Sequence, residues 1–276
     1  CRGYLHEPDK FRCLIYRHFG VGHEAVNMTD AIVRSCNVYF FHLSEEIGGE
    51  EIVRWSQAFG FGRRTGIDLA GEEPGILPLP GTANRRAGSR WSDGEIKGLA
   101  IGQGTQSATP LQVAVMMAAI ANGGMRVVPH VRRDAFQPPR SIEGIDPHSD
   151  RSLALVRHAL ELVVADSRGT GHEHVFLPEI EIAGKTGTAQ SGSSLGDHAW
   201  FAGYVPAKNP RFAIVAVLEH AGSGGLSAGP LVRGLVRKLL ELGYFSTPDV
   251  PVVTDAAGSS GTPEGRSDIG DSSGTA

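Results

Sequence analysis

The chain has 276 residues, 41% hydrophobic and 20% charged, the balance of an ordinary globular core. Its 26 Lys and Arg against 30 Asp and Glu leave a net charge of −4, and no dense basic run offsets it, which excludes a general nucleic-acid binder. The longest apolar runs, 113–121 and 212–218, fall well short of the roughly 20 residues that cross a bilayer.

The chain opens on Cys1 without a charged–apolar–small leader pattern, so its N-terminus reads as a cut end. Residues 1–27 show no sustained period. From Thr29, apolar side chains at Ile32, Val33, Cys36, Tyr39, Phe40 and Leu43 recur at three- and four-residue spacing, which predicts one helix stopped by Gly48-Gly49. A second helix is expected over 50–58, closed by Gly60-Phe61-Gly62. The glycines and prolines of 62–98 predict a long loop-rich crossing. Thr109 as N-cap, Pro110 at the first helical position and Gly123-Gly124 at the end frame a buried helix over 110–122. Another helix is expected over 152–166.

The period then shortens. Three strands are predicted over 180–189, 198–205 and 211–219, followed by a helix over 227–243. From 246 the composition turns to Gly, Ser, Thr, Pro and Asp, as in a disordered tail. Helices first, adjacent strands later and a closing helix imply an α+β fold with a largely antiparallel sheet.

Gly184-Lys185-Thr186-Gly187-Thr188 invites a phosphate-loop reading. That loop needs Gly where Glu179 stands, and a helix where a strand is predicted, so the reading fails. Gly102-Gln103-Gly104 has Ser107 where a dinucleotide fingerprint has Gly, and is set aside as well. Lys-Thr-Gly reads better as an edge strand beside a catalytic serine, offering one cation, two hydroxyls and a bare backbone to a substrate. Ser35-Cys36-Asn37 is a Ser-x-Asn tripeptide, and it precedes Lys-Thr-Gly in the chain order of penicillin-binding enzymes.

Several stretches resemble class B penicillin-binding proteins in register. They are 31–40 around Ser35, Phe59-Gly60-Phe61-Gly62 with 65–68, and Ala100-Ile101-Gly102-Gln103-Gly104 with Thr109-Pro110-Leu111-Gln112. Ala121-Asn122-Gly123-Gly124, 185–190 and 200–206 join them. The pattern is most similar to the elongation-type, penicillin-binding protein 2 group, and it covers roughly 1–245. The resemblance implies the penicillin-binding protein/serine β-lactamase-like transpeptidase fold, an antiparallel sheet flanked by helices with a helical subdomain. Residues 1–245 would be part of that domain and 246–276 the appended tail.

One departure matters. No Ser-x-x-Lys occurs: the residues three before Lys10, Lys97, Lys185, Lys208 and Lys238 are Glu7, Gly94, Ile182, Val205 and Leu235. The family carries that motif upstream of Ser-x-Asn, so truncation is the expected reason, and the isolated chain is expected to be inactive.

The resemblance further implies acyl transfer on the D-Ala-D-Ala end of a peptidoglycan stem peptide through an acyl-serine, with β-lactams as mimics of the donor. Ser35 would relay a proton, and Asn37 would bind the donor or hold the absent lysine. Lys185, Thr186, Gly187 and Thr188 would receive the substrate carboxylate and backbone, with the Thr188 N–H as an oxyanion donor. No catalytic cofactor is implied. The intact protein would be anchored in the membrane with this domain on its outer side, working with a membrane glycosyltransferase of the elongation machinery. A carboxypeptidase, a β-lactamase-like hydrolase and a non-catalytic sensor domain are the alternatives. The remaining histidines, His198 among them, read as surface or packing residues, and 200–206 reads as core sheet.

Cys1, Cys13 and Cys36, with His23, form a Cys₃His set of the kind that holds structural zinc. The rival is a Cys1–Cys13 disulfide with Cys36 free.

Overall fold

The structure, a computed structural model, describes residues 1–79, 90–146, 150–192 and 194–245. The expected tail, 246–276, therefore lies outside the described residues.

The N-terminal segment is more ordered than its lack of periodicity suggests. Tyr4 bridges Arg12, and a short helix α1 (Leu14–Phe19) follows, too brief to leave an apolar stripe. The single helix expected from Thr29 is two: α2 (Met28–Val33) and α3 (Asn37–Ala58). The break has a specific hydrogen-bond signature. Cys36 N–H donates to Ala31 O at 2.8 Å and Ser35 N–H to Ile32 O at 3.3 Å, while Ser35 takes φ 55°. This is a Schellman cap with serine in the left-handed position that glycine normally fills. Gly48 does not end α3. At φ 76° and ψ 164° it kinks the run, and helical geometry resumes beyond it through the segment expected as a second helix.

The crossing segment holds a helix that its glycines conceal, α4 (Asp93–Ala100), started by a reciprocal Ser92/Glu95 capping box. Helix α5 (Pro110–Ala121) begins with a Thr109/Gln112 box as expected. Gln112 is buried, and its amide donates to Arg63 O and Pro74 O, both at 2.8 Å, so the start of α5 clamps the crossing. Asp68 accepts the N–H groups of Val131 and Arg132 at 2.7 and 2.9 Å, which ties the crossing to the chain beyond α5.

A two-residue pairing of β1 (Met125–Arg126) with β2 (Arg140–Ser141) precedes α6 (Arg151–Ala165) and α7 (His172–Val175). Then come β3 (Ala183–Ala189), β4 (His198–Val205) and β5 (Phe212–Leu218), antiparallel in the order β3-β4-β5. A π-helical turn, Gly224–Ala228, leads into α8 (Gly229–Glu241).

Alternation along the central strand β4 explains why helices cover both faces of the sheet. Ala199, Phe201 and Val205 pack with Val175, Ile182, Val232 and Val236 beneath α7 and α8. Tyr204 and Ala202 point the other way, toward Ile32, Met117, Ile120, Leu160 and Val163 of α2, α5 and α6. Each fully buried Val or Phe contributes about 1.5–3 kcal/mol of transfer free energy. The sheet and the start of α3 are thereby held in one frame. The expected α+β architecture with an antiparallel sheet is what folds.

Candidate active site and metal-ligating cluster

Strand β3 stands at the edge of the three-stranded sheet and carries Lys185, Thr186, Gly187 and Thr188, with Gly187 opposite Trp200 and Thr188 opposite Ala199. The strand period puts Lys185 and Gly187 on one face and the two threonines on the other. Lys185 is half-buried. Its ammonium donates to the adjacent Thr186 carbonyl at 2.9 Å, and among the described residues no carboxylate pairs with it. Burial without a counter-charge lowers its pKa to about 8.

The hydroxyls on the other face already have partners. Thr188 Oγ1 accepts from Gly224 N–H at 3.3 Å, and Thr186 Oγ1 lies 2.7 Å from Thr170 Oγ1. Gly224 has to be glycine: a Cβ there would fall 2.1 Å from Gly187 O and 2.4 Å from Trp200 O. Gln103 Nε2 donates to Thr188 O at 3.2 Å. A cleft of about 540 Å³ opens along this strand, lined by Gly187 and Thr188 with Ile101, Gln103, His198 and Trp200.

Ser35 and Asn37 sit half-buried at the α2–α3 break and do not line that cleft. Their segment is nonetheless joined to β3. Thr170 N–H donates to Val33 O at 3.2 Å, just before the Ser35 turn, while the Thr170 hydroxyl meets Thr186. Sequence reading missed Thr170, which sits between two glycines in an unremarkable loop. It also assigned His198 and Trp200 to surface or core, although both line the cleft. The Gly-Gln-Gly match was the one available signal for Gln103.

The Cys1, Cys13, His23 and Cys36 ligand atoms converge, all within 4.8 Å of one another. Cys1 Sγ–Cys13 Sγ and Cys13 Sγ–Cys36 Sγ are each 3.7 Å, and His23 Nδ1 is 3.6 Å from Cys1 Sγ and 3.5 Å from Cys13 Sγ. Metal–sulfur bonds of about 2.3 Å and a metal–nitrogen bond of about 2.0–2.1 Å at tetrahedral angles give edges of about 3.8 and 3.6 Å. Four of the six edges match those figures, and the two between Cys36 and the Cys1 and His23 ligand atoms lie within 4.8 Å. All three thiols are free, so the Cys1–Cys13 disulfide is not formed.

Without a metal the surroundings favour a thiolate at Cys13 only, and a neutral imidazole at His23. Cys13 is brought down to about 7 by the hydrogen bond with Cys36, helped by the N–H groups of Val38 and Asn37, with burial opposing. The Cys36 thiol is pushed up by the same pairing and by burial, while Tyr39 N–H faces its sulfur. Burial, and then the charge of Arg34, lower the His23 imidazole.

Comparison with known proteins agrees with this picture. The family model "Penicillin binding protein transpeptidase domain" matches residues 1–237. The peptidoglycan D,D-transpeptidase MrdA of Acinetobacter baumannii is 35% identical over 248 residues, which are 82% of this chain and 36% of that protein. The chain thus spans little more than a third of that relative's length. Among solved structures, the Helicobacter pylori penicillin-binding protein PBP2 in complex with MreC is similar at 33% identity and a TM-score of 0.71, covering 80% of this chain and 41% of that one. PBP2 of Pseudomonas aeruginosa in complex with WCK 5153 is similar at 30% identity and 0.71, covering 90% and 56%. Lys-Thr-Gly on an edge strand, Ser-x-Asn at a helix break and a family match over most of the chain lead to one assignment: the chain belongs to the penicillin-binding protein transpeptidase domain family.

Proposed function

We propose that this chain is the larger part of a peptidoglycan D,D-transpeptidase domain that cross-links stem peptides through an acyl-serine and is acylated by β-lactams. The observation that carries the reading is Lys185, a half-buried cation with no carboxylate partner among the described residues, on an edge strand whose other face carries the hydroxyls of Thr186 and Thr188. Such a cation is suited to a ligand carboxylate, as at the D-Ala terminus of a donor stem.

The nucleophilic serine and its lysine come from sequence outside these 276 residues. The serine oxygen attacks the penultimate D-Ala carbonyl, the peptide C–N bond breaks, and the terminal D-Ala leaves as an amine carrying the serine's proton. An amine from a second stem then displaces the serine, forming the cross-link. Ser35 relays the proton, and Asn37 holds the donor or the absent lysine. Lys185, Thr186 and Thr188 bind the carboxylate. Gly187 lets the substrate backbone lie against the strand, and Thr188 N–H faces the developing oxyanion.

A fluorescent penicillin tests this. The full-length protein should be labelled and the 276-residue chain alone should not. Lys185→Ala in the full-length protein should slow acylation about a hundredfold, the scale of one positioned electrostatic group. Labelling of a serine within these residues would overturn the assignment.

We further propose that Cys1, Cys13, His23 and Cys36 hold a structural zinc ion, a reading supported by four of the six ligand separations at tetrahedral length and by the backbone N–H groups facing Cys13 and Cys36. Bound there, zinc supplies no chemistry to the acyl transfer. Cys36 lies between Ser35 and Asn37, so the ligands fix that turn from beneath. Metal analysis should find one zinc per chain, and Cys13→Ser should lose it together with thermal stability. Full stability of a metal-free preparation would refute the assignment.

The partners that follow are peptidoglycan stems, β-lactams and a membrane glycosyltransferase, with an MreC-type protein as a further candidate. The work would be done on the outer face of the cell membrane. Among the described residues no helix is long and apolar enough to cross it, so an anchor would belong to other parts of the protein.

A further inference from the structure

We infer that Thr170 is a positioning residue for the carboxylate-binding hydroxyl of Thr186, and that it couples this hydroxyl to the Ser35 turn. The inference rests on the transpeptidase reading above. A threonine hydroxyl has one proton to donate and two lone pairs to accept with. To bind a carboxylate it must spend the proton on the ligand, so any protein partner has to be a donor. Thr188 meets that condition unambiguously: its partner is the N–H of Gly224, which can only donate. Thr186 has a hydroxyl partner instead, Thr170 Oγ1 at 2.7 Å; without a ligand Thr186 is the donor in that bond, so a bound carboxylate has to reverse it.

Among the described residues the Thr170 hydroxyl has no other partner, and Thr170 is exposed, so its proton can turn to Thr186 once the Thr186 proton goes to a ligand. With a carboxylate bound, the chain of donation runs from Thr170 Oγ1 to Thr186 Oγ1 to the ligand. Both strand hydroxyls are then held alike, each accepting from the protein and donating outward.

Thr170 is itself fixed at both sides. Its N–H donates to Val33 O at 3.2 Å, and its carbonyl oxygen lies against Gly225, 3.1 Å from where a Cβ on that glycine would be. The 167–171 loop is anchored from behind by Gly171 N–H to Val163 O at 3.0 Å. One residue thus touches the segment leading into Ser35, the edge strand and the π-helical turn. A shift of the Ser35 turn would be felt at Thr186 through about two hydrogen bonds, a short path for coupling donor carboxylate to proton relay.

The test uses the full-length protein and two acylating probes, benzylpenicillin and its methyl ester, which lacks the carboxylate anion. Variants Thr170→Val, Thr170→Ser and Thr186→Val are compared by second-order acylation constant and melting temperature. Thr170→Val should slow acylation by the acid about 3- to 10-fold, the scale of one net hydrogen bond, and leave the ester unchanged. Thr170→Ser should restore the wild-type ratio of acid to ester. Equal slowing of both probes, or a failure of serine to rescue, would reduce Thr170 to a structural residue and overturn the inference. If Thr186→Val loses the acid preference while Thr170→Val keeps it, the coupling is wrong and the reading of Thr186 stands. If Thr186→Val keeps the preference, that reading falls and takes the inference with it.

Discussion

Replacing Lys97 by methionine keeps most of the side chain's volume and removes only its charge. The Lys97 side chain is 1% exposed, its ammonium lies 2.9 Å from Glu45 Oε1 and also pairs with Asp93, and it sits 4.7 Å above the Phe11 ring. Breaking a fully buried ion pair costs about 3–5 kcal/mol, because the orphaned charge cannot rehydrate. Here the orphans can. Glu45 is 29% and Asp93 66% exposed, so water reaches both. The lost charge-assisted bonds, partly offset by no longer burying an ammonium, leave a net cost of about 1–2 kcal/mol.

The pH dependence separates this account from simple packing loss. The hydrogen bond from Lys97, followed by that from His6, holds the Glu45 carboxyl at about 2 against an ordinary 4.5. A depressed carboxylate contributes stability that is present above its unfolded pKa and lost as pH falls through the folded one. The stability gap between wild type and Lys97→Met should therefore be widest at neutral pH and shrink progressively below about pH 4.5. Thermal melting from pH 3 to 7, with hydrogen exchange over α4, measures it. A gap that stays constant or widens on acidification would refute the electrostatic reasoning.

Ser35→Gly should raise the melting temperature, because relieving a left-handed serine recovers about 1 kcal/mol, yet it should slow acylation of the full-length protein about a hundredfold by removing the proton relay. Acylation should decline as pH rises through about 8, where Lys185 loses its proton, and Lys185→Arg, which stays charged, should lack that limb. Gly224→Ala should cost about 3 kcal/mol or more, since the new methyl meets backbone oxygens at 2.1 and 2.4 Å that no rotamer change can clear; unchanged melting would show that the π-helical turn can back away.

The parts legible in the sequence were those that local chemistry fixes. Thr109, Pro110 and Gln112 announce α5 at its first residue, and the short apolar run of 198–205, closed by Pro206, announces a strand. The break at Ser35 was hidden because a helix-ending left-handed residue is normally glycine, and serine gives no such sign. Helix α4 was hidden by Gly94 and Gly98 within it and by a buried lysine that only tertiary partners explain. The candidate metal ligands could be nominated from residue type alone. Their convergence depends on how α2, α3 and the N-terminal loop pack, and that is written in no local spacing. Thr170 shows the limit most plainly, since the role inferred for it depends on a hydroxyl of β3 that only the fold brings beside its loop.

The contact between Gly224 and the backbone of β3 and β4 bears on how a domain of this shape could evolve, and, on the proposed function, on how it could answer selection by β-lactams. Wherever two main chains touch with no side chain between them, the local shape is closed to point mutation: any larger residue at Gly224 collides with Gly187 and Trp200 main-chain atoms before it can reshape the drug's approach. Adaptive routes are channelled elsewhere, toward positions whose side chains border the opening without propping up its frame. Ile101, which lines the cleft from outside the sheet, is where tolerated variation should accumulate, whereas Gln103 holds the Thr188 carbonyl of β3.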